Sequence, residues 1–271
     1  MPGINAFGRR LRRKLARTIL PSSDQVVSRT GRELSGRTAF YLQQPTCQLP
    51  ELWFMYERFL GRRTDGIFVE VGANDGVFVS NTWGLAEQGW RGLMIEPVPG
   101  LARTCRANHV GHPRVEVFQV AIGSPGTSRV TLRLAGPMTT ANVSLGREYE
   151  GIEWAAALVT DETLEVACTS LDEFLLEASV PEGFDVLVVD VEGFEEDVFS
   201  GFDLARWTPK LLIVELADTH PDLRSTCQAD ARLGISIQSA GYVIVYKDLI
   251  NTVFVRKDVW SAALEVSLPG Q

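Results

Sequence analysis

Two runs of apolar residues, FDVLVVDVEG at 184–193 and KLLIVEL at 210–216, constrain the fold of this chain more than any other feature. A strand that is apolar at almost every position is typical of a parallel sheet covered by helices on both faces. Similar runs occur at 66–72, 92–96 and 115–123, with helical segments between them. This alternation predicts βαβ units, and therefore an α/β fold with a mainly parallel sheet.

The C-terminal end departs from this alternation. YVIVYKD at 242–248 and NTVFVRK at 251–257 are two strand-like runs joined by a short turn, which predicts an antiparallel hairpin. RVTLRL at 129–134 is a candidate for an additional edge strand. A predicted helix further along begins with a capping box between Ser170 and Glu173.

The first 20 residues are basic and amphipathic. RRLRRKLARTIL at 9–20 places three apolar residues on one helical stripe, surrounded by arginines. Such a helix contacts an anionic membrane surface or an acidic partner, or else it is a solvated arm or a helix packed on the main domain. We therefore divide the chain into an N-terminal accessory segment, residues 1–50, and a domain that spans residues 51–271.

Charge and composition exclude several classes of protein. The chain of 271 residues has a net charge of −8, and all 34 acidic residues follow the basic helix, so its main body is acidic throughout. Nucleic acid is therefore not an expected partner, because phosphate contacts need clustered lysine and arginine. No apolar stretch is long enough for a membrane span or a secretory signal, which predicts a cytoplasmic location. The four cysteines lie far apart without a Cys-x-x-Cys pair, and we expect four reduced thiols.

A glycine loop directly follows the first predicted strand. It reads EVGANDG at 70–76, and Glu96 ends the next strand. Glycines let the backbone approach a ligand closely, and an acid about 20 residues further on accepts hydrogen bonds from ribose hydroxyls. The spacing departs from G-x-G-x-x-G and places Asp75 beside any pyrophosphate, so a nucleoside cofactor without phosphate fits better than a dinucleotide. A tight turn without a ligand is the alternative.

S-adenosylmethionine is such a cofactor. Its cationic amino group suits Glu70, its ribose diol suits Glu96, and its amino-acid tail suits the loop backbone. The turn around Ala121, after the third strand, is expected to border the adenine. The candidate cofactor-binding residues are Glu70, Gly72, Ala73, Asn74, Asp75, Gly76, Glu96, Pro97, Ala121 and Asp190.

Further acidic residues follow the fourth and fifth strands. Asp190 and Glu192 end the fourth strand, and Glu215 ends the fifth. In open α/β sheets the ligand crevice lies at the carboxyl ends of the strands, so these carboxylates are catalytic candidates. Helix capping or pairing with arginine is the alternative. Magnesium coordination is conceivable, but acids at strand ends are common without a metal, and we expect none. His220, on the loop after the fifth strand, is a candidate general base or else a surface residue.

These segments resemble the FkbM family of S-adenosylmethionine-dependent methyltransferases over about residues 66–257. The resemblance implies a class I methyltransferase fold: a Rossmann-like, mainly parallel seven-stranded sheet with helices on both faces and a C-terminal antiparallel hairpin. It also implies methyl transfer to an oxygen, typically a hydroxyl of a sugar, a glycan or a secondary metabolite. The matching segments are FVEVGANDG (68–76), IEP (95–97), TSLDEF (169–174), DVEGFE (190–195), IVE (213–215) and the ending from Gly241-Tyr242 to Asn251.

Two other functions remain open on the sequence. An NAD-dependent oxidoreductase shares the order of strand, glycine loop, helix and acid, although its glycine spacing differs and it does not explain the terminal hairpin. A cofactor-binding module without catalysis, acting through the basic helix, is the second alternative. Residues 135–168 are the least regular part of the domain, and we expect a lid over the substrate there.

Overall fold

A seven-stranded sheet forms the centre of the computed structural model, which describes residues 39–265. The basic helix predicted at residues 9–20 lies outside the described residues. Strand β10 (Asn251–Arg256) runs antiparallel to both of its neighbours, and all other pairs in the sheet are parallel. The predicted α/β class and the terminal hairpin are therefore confirmed. In spatial order the strands are β3 (Val115–Phe118), β2 (Arg91–Ile95), β1 (Ile67–Val71), β7 (Val186–Val189), β8 (Leu211–Glu215), β10 (Asn251–Arg256) and β9 (Tyr242–Lys247).

Helices cover both faces of this sheet. One apolar cluster joins it to helices α6 (Leu171–Glu177) and α9 (Cys227–Ser239), through Phe174 and Ile237 among others. A second cluster joins the opposite face to helices α1 (Leu52–Leu60) and α2 (Trp83–Glu87), through Tyr56 and Leu85. Among the described residues, no helix combines the length and the apolar character that crossing a membrane requires. The helices are α1 (Leu52–Leu60), α2 (Trp83–Glu87), α3 (Pro99–Asn108), α4 (Val143–Glu148), α5 (Glu153–Ala156), α6 (Leu171–Glu177), α7 (Glu195–Ser200), α8 (Leu204–Trp207), α9 (Cys227–Ser239) and α10 (Lys257–Glu265).

A second, three-stranded sheet differs from the sequence-based expectation. The run 115–123 was expected to be one strand, but it ends at Phe118 in the main sheet and continues as β4 (Ala121–Ile122) in the small one. There β4 and β5 (Arg129–Arg133) flank β6 (Thr163–Thr169). Residues of β6 are mostly exposed or half-buried, as in a sheet with one face towards solvent, so this strand has no continuous apolar run.

An insert, defined as residues 134–160, lies between β5 and β6. It contains α4, α5 and two short 3-10 turns, and it occupies most of the region where a lid was expected. Its own apolar cluster includes Met138, Leu145 and Tyr149 and extends to Leu223 beyond β8. The insert is therefore anchored to the main domain by packing.

Residues 39–50, which precede the predicted domain, pack into the same core as α1 and α2. Tyr41 and Leu49 are fully buried in the second apolar cluster. The ring of Tyr41 lies edge-on to that of Trp90, with 5.8 Å between their centroids. This packing brings the end of the segment close to the carboxyl edge of the sheet.

Candidate active site

The strand order reverses at β1 and β7, which are adjacent and parallel. At such a point the chain leaves the two strands in different directions and opens a crevice at their carboxyl ends. The glycine loop begins there: the amides of Gly72 and Ala73 both donate to the carbonyl of Ile95, each at 3.0 Å. Gly72 has a φ of +89°, a conformation that L side chains rarely adopt. The loop therefore crosses the ends of β1 and β2 directly beneath the crevice.

A cavity of about 1120 Å³, including the space at its open mouth, lies above this crevice. Four carboxylates line it, whereas no described lysine or arginine does. The lining residues from the predicted cofactor set are Glu70, Gly72, Ala73, Asn74, Glu96, Pro97, Ala121 and Asp190.

Glu70 is buried at the end of β1. The hydroxyl of Thr82 donates a hydrogen bond of 2.6 Å to its Oε2. Burial raises the pKa of Glu70 to about 7, and the nearby Asp190 adds to this effect, while the bond from Thr82 opposes it. A bound cation such as an ammonium group would favour the charged form of this carboxylate.

Glu96 fastens the glycine loop to the end of β2. Its Oε2 accepts from the amide of Asn74 at 2.9 Å, and its Oε1 accepts from the amide of Val98 at 2.8 Å. Burial raises the pKa of Glu96 to about 7, against the effect of these two bonds. Each carboxylate oxygen has a second lone pair, so the side chain can also accept from ribose hydroxyls.

Asp75 and Gly76 do not line the cavity. Asp75 Oδ1 accepts from the amides of Val77 at 3.0 Å and Phe78 at 2.7 Å, so this side chain closes the turn that follows the loop. The carbonyl of Gly76 lies 2.9 Å from Nε2 of the buried His109. Both residues shape the loop from behind, away from the ligand space.

Three polar side chains that the sequence analysis did not single out line one end of the cavity: Gln48, Ser80 and Asn81. Gln48 Oε1 accepts from the side-chain amide of Asn251 at 3.2 Å, which leaves its amino group to serve as a donor. Ser80 Oγ accepts from two backbone amides, those of Thr82 at 3.3 Å and Trp83 at 3.2 Å. Donors gathered beside the Glu70 carboxylate suit a zwitterionic amino-acid group. No sequence motif marks them, because they come together only through tertiary packing.

The acidic residues that follow β7 and β8 converge. Side-chain oxygens of Asp190, Glu192 and Glu215 lie within 4.8 Å of one another. Burial raises the pKa of all three carboxyls, that of Glu192 to about 8. Repulsion from Asp190 adds to the rise in the pKa of Glu192 and of Glu215, whereas a hydrogen bond with Glu215 opposes the rise in the pKa of Asp190. Asp190 and Glu192 line the cavity, and Glu215 lies behind them. The group could hold a hard divalent cation, and a proton shared between Asp190 and Glu215 relieves the same repulsion.

His220 caps the turn that follows β8. Its Nδ1 accepts from the backbone amides of Asp222 at 3.1 Å and Leu223 at 3.3 Å, which makes it a cap for the turn after β8. Burial lowers its pKa. The imidazole is not among the groups that line the cavity.

Several solved structures are similar to this chain at low sequence identity. An O-methyltransferase from Bacillus cereus, crystallised in complex with SAH, is 13% identical over 92% of this chain and 90% of its own, with a TM-score of 0.44. A putative O-methyltransferase from Klebsiella pneumoniae is 12% identical, over 94% and 91%, also with a TM-score of 0.44. Monomeric WbdD is 14% identical over 90% of this chain, with a TM-score of 0.42. The chain spans about half of the WbdD chain, 48% of its length.

A family profile gives a sharper result, although the comparison with curated proteins returned no match. The profile described as "Methyltransferase FkbM domain" matches residues 70–244, which is well over half of the chain. This span begins at Glu70 and includes the glycine loop, the insert and the acidic cluster. S-adenosylmethionine is thus the cofactor of this domain. The chain belongs to the FkbM family of methyltransferase domains.

Proposed function

We propose that this methyltransferase transfers a methyl group to a hydroxyl of a neutral, hydroxyl-rich acceptor, such as a sugar, a glycan or a secondary metabolite. The observation that carries the proposal is the charge of the cavity. Glu70, Glu96, Asp190 and Glu192 line it, and no basic residue of the described chain does. Carboxylates accept hydrogen bonds from hydroxyl groups, whereas they repel phosphates and other anions.

One side of the cavity suits the cofactor, and the side beside the acidic cluster suits the acceptor. Glu70 and the donors of Gln48 and Ser80 suit the amino-acid tail of the cofactor, and Glu96 suits its ribose. The acidic cluster lies at the end of β7, beside the space that remains for the acceptor. This division supports a reaction at the end of β7.

Proton transfer is the main chemical task left to the protein. The cofactor, when bound, supplies an electrophilic methyl group on a cationic sulfur. As the new O–C bond forms and the C–S bond breaks, Glu192 accepts the hydroxyl proton and Asp190 orients the hydroxyl. Burial raises the pKa of Glu192 to about 8, close to neutral, which suits a group that gains and loses a proton in each cycle.

Incorporation of radioactive label from methyl-tritiated S-adenosylmethionine tests this proposal. The acceptors are a panel of neutral sugars and polyols, the corresponding sugar phosphates, and RNA. The proposal expects label in neutral hydroxyl acceptors, as a base-stable ether, and none in the phosphates or RNA. Glu192→Gln removes the proton acceptor and is expected to lower incorporation about 100-fold or more, while the exposed Asp222→Asn serves as a control that keeps the wild-type rate. Label on RNA or on a sugar phosphate in preference to the neutral sugar would overturn the proposal.

A further inference from the structure

Two side chains of the insert hold the backbone at Glu192 and Gly193, just after β7. Thr140 Oγ1 donates to the carbonyl of Glu192 at 2.6 Å, and Asn142 Nδ2 donates to the carbonyl of Gly193 at 2.8 Å. Glu192 has a φ of +55°, which is strained for a residue with a Cβ atom. Such a conformation persists only where the surroundings impose it, and Thr140 and Asn142 of the insert are two of the groups that do so.

A third contact reaches the Glu192 side chain itself. The hydroxyl of Tyr149 donates to Oε2 of Glu192 at 2.6 Å, across 43 residues of sequence. Tyr149 is 1% exposed and belongs to the insert's own apolar cluster, together with Met138 and Leu145. A rigid ring fixed in this way gives its hydroxyl one position, so Oε2 of Glu192 also has one position.

We propose that Tyr149 is a positioning residue for methyl transfer, which holds the Glu192 carboxylate by Oε2 and directs its other oxygen at the acceptor hydroxyl. This inference rests on the proposed function, because it assumes that Glu192 receives the proton. Met138 and Thr139 of the same insert line the cavity. The wall that the acceptor touches and the residue that aligns the base therefore belong to one packed unit.

Tyr149→Phe removes only the hydroxyl and tests the inference. Tyr242→Phe is the matched control, because Tyr242 is also buried and its hydroxyl donates to a backbone carbonyl, that of Pro209, at 2.7 Å. With a neutral acceptor from the labelling panel, Tyr149→Phe is expected to lower kcat about tenfold or more, the effect of losing a hydrogen bond to a charged group. The KM for S-adenosylmethionine is expected to stay unchanged, and Tyr242→Phe is expected to keep the wild-type kcat.

The same change in a Glu192→Ala background separates positioning from general destabilisation. If Tyr149 acts through Glu192, Tyr149→Phe lowers kcat no further once the carboxylate is gone. An equal loss of kcat in both backgrounds, or a loss confined to KM, would contradict the inference.

A spectroscopic measurement needs no acceptor. In protein labelled with ¹³C at the glutamate carboxyl carbons, the Glu192 signal is the one that Glu192→Ala removes. Tyr149→Phe is expected to shift this signal, and Tyr242→Phe is expected to leave it in place. An unshifted signal in Tyr149→Phe overturns the inference whatever the acceptor is. A shifted signal together with no label in any hydroxyl acceptor would instead contradict the proposed function alone.

Discussion

A Cβ atom on residue 72 would lie 1.7 Å from the carbonyl oxygen of Asp190, so the glycine loop after β1 touches the end of β7 through backbone alone. Gly72→Ala therefore has to separate the two strand ends or move the loop. We expect it to lower the free energy of unfolding by about 3 kcal/mol or more and to abolish measurable binding of S-adenosylmethionine. Urea denaturation and calorimetry measure the two effects.

Gly89→Ala is the control for this substitution. Gly89 has a φ of +78°, close to the +89° of Gly72, but a Cβ atom there would meet no atom within 4 Å. Its cost is therefore that of the left-handed conformation alone, about 1 kcal/mol. Equal destabilisation by the two substitutions would contradict the close approach of Gly72 to Asp190.

Glu96→Ala tests the assignment of Glu96 to the ribose of the cofactor. The substitution removes the carboxylate that anchors the loop amide of Asn74 and that, on this assignment, accepts from the ribose hydroxyls. We expect the Kd for S-adenosylmethionine to rise about tenfold or more, measured by calorimetry. Glu116→Ala, at an exposed position on β3, removes the same charge and is expected to leave the Kd unchanged. An unaltered Kd in Glu96→Ala would refute the assignment.

Gln48→Ala tests whether this end of the cavity holds the amino-acid tail. Because Gln48 contributes a donor there, we expect the Kd for S-adenosylhomocysteine to rise about tenfold. Adenosine lacks the tail, so its Kd is expected to be unaffected by Gln48→Ala. The exposed Gln238→Ala should change neither constant. Equal weakening of both ligands would show that Gln48 acts on the fold of the cavity and not on the tail.

Glu70 makes the free energy of unfolding of the ligand-free protein depend on pH. Burial raises its pKa from 4.5 to about 7. Between pH 4.5 and pH 7, the carboxyl is therefore protonated in the folded state and ionised in the unfolded state. Its contribution to stability is complete below pH 4.5 and decreases as pH rises through 7. Between pH 4.5 and 7.5, wild type should lose about 3 kcal/mol more than Glu70→Gln. Urea denaturation at both pH values measures this, and identical losses would contradict the raised pKa.

His220→Ala distinguishes a turn cap from a general base. Since Nδ1 of His220 accepts from the amides of Asp222 and Leu223, we expect a loss of stability of about 1 kcal/mol. The value of kcat per folded molecule should stay within about threefold of wild type, because a general base contributes about 100-fold or more. A loss on that larger scale would make His220 the base in place of Glu192.

The main sheet could be predicted from sequence because its central strands are apolar at almost every position. The start of α6 could also be predicted, since the capping box between Ser170 and Glu173 is a local pattern and is present in the structure. Strand β6 could not be predicted, because about half of its side chains face solvent. Its antiparallel pairing with β5 also depends on how the insert between them folds back. Short apolar runs such as 115–123 also do not reveal where a chain leaves one sheet for another.

Some residues of the candidate site could likewise be predicted from sequence, and others could not. Glu70, Glu96, Asp190 and Glu192 could be found from sequence, because each lies at the end of an identifiable strand or soon after it, and strand ends converge in a parallel sheet. Gln48 could not, since its place at the cavity depends on the packing of a segment that has no periodic pattern. The contact of Tyr149 with Glu192 also follows no local rule, because it joins residues far apart in sequence.

Calorimetric titration of the full chain with S-adenosylmethionine, S-adenosylhomocysteine and NAD, in parallel, tests the central claim most directly. The claim is that the glycine loop and the acidic cavity hold the cofactor of a methyltransferase. It predicts micromolar binding of the first two ligands, weakened in Glu96→Ala, and no binding of NAD. Binding of NAD alone would contradict the claim, and so would the absence of binding by either sulfur compound.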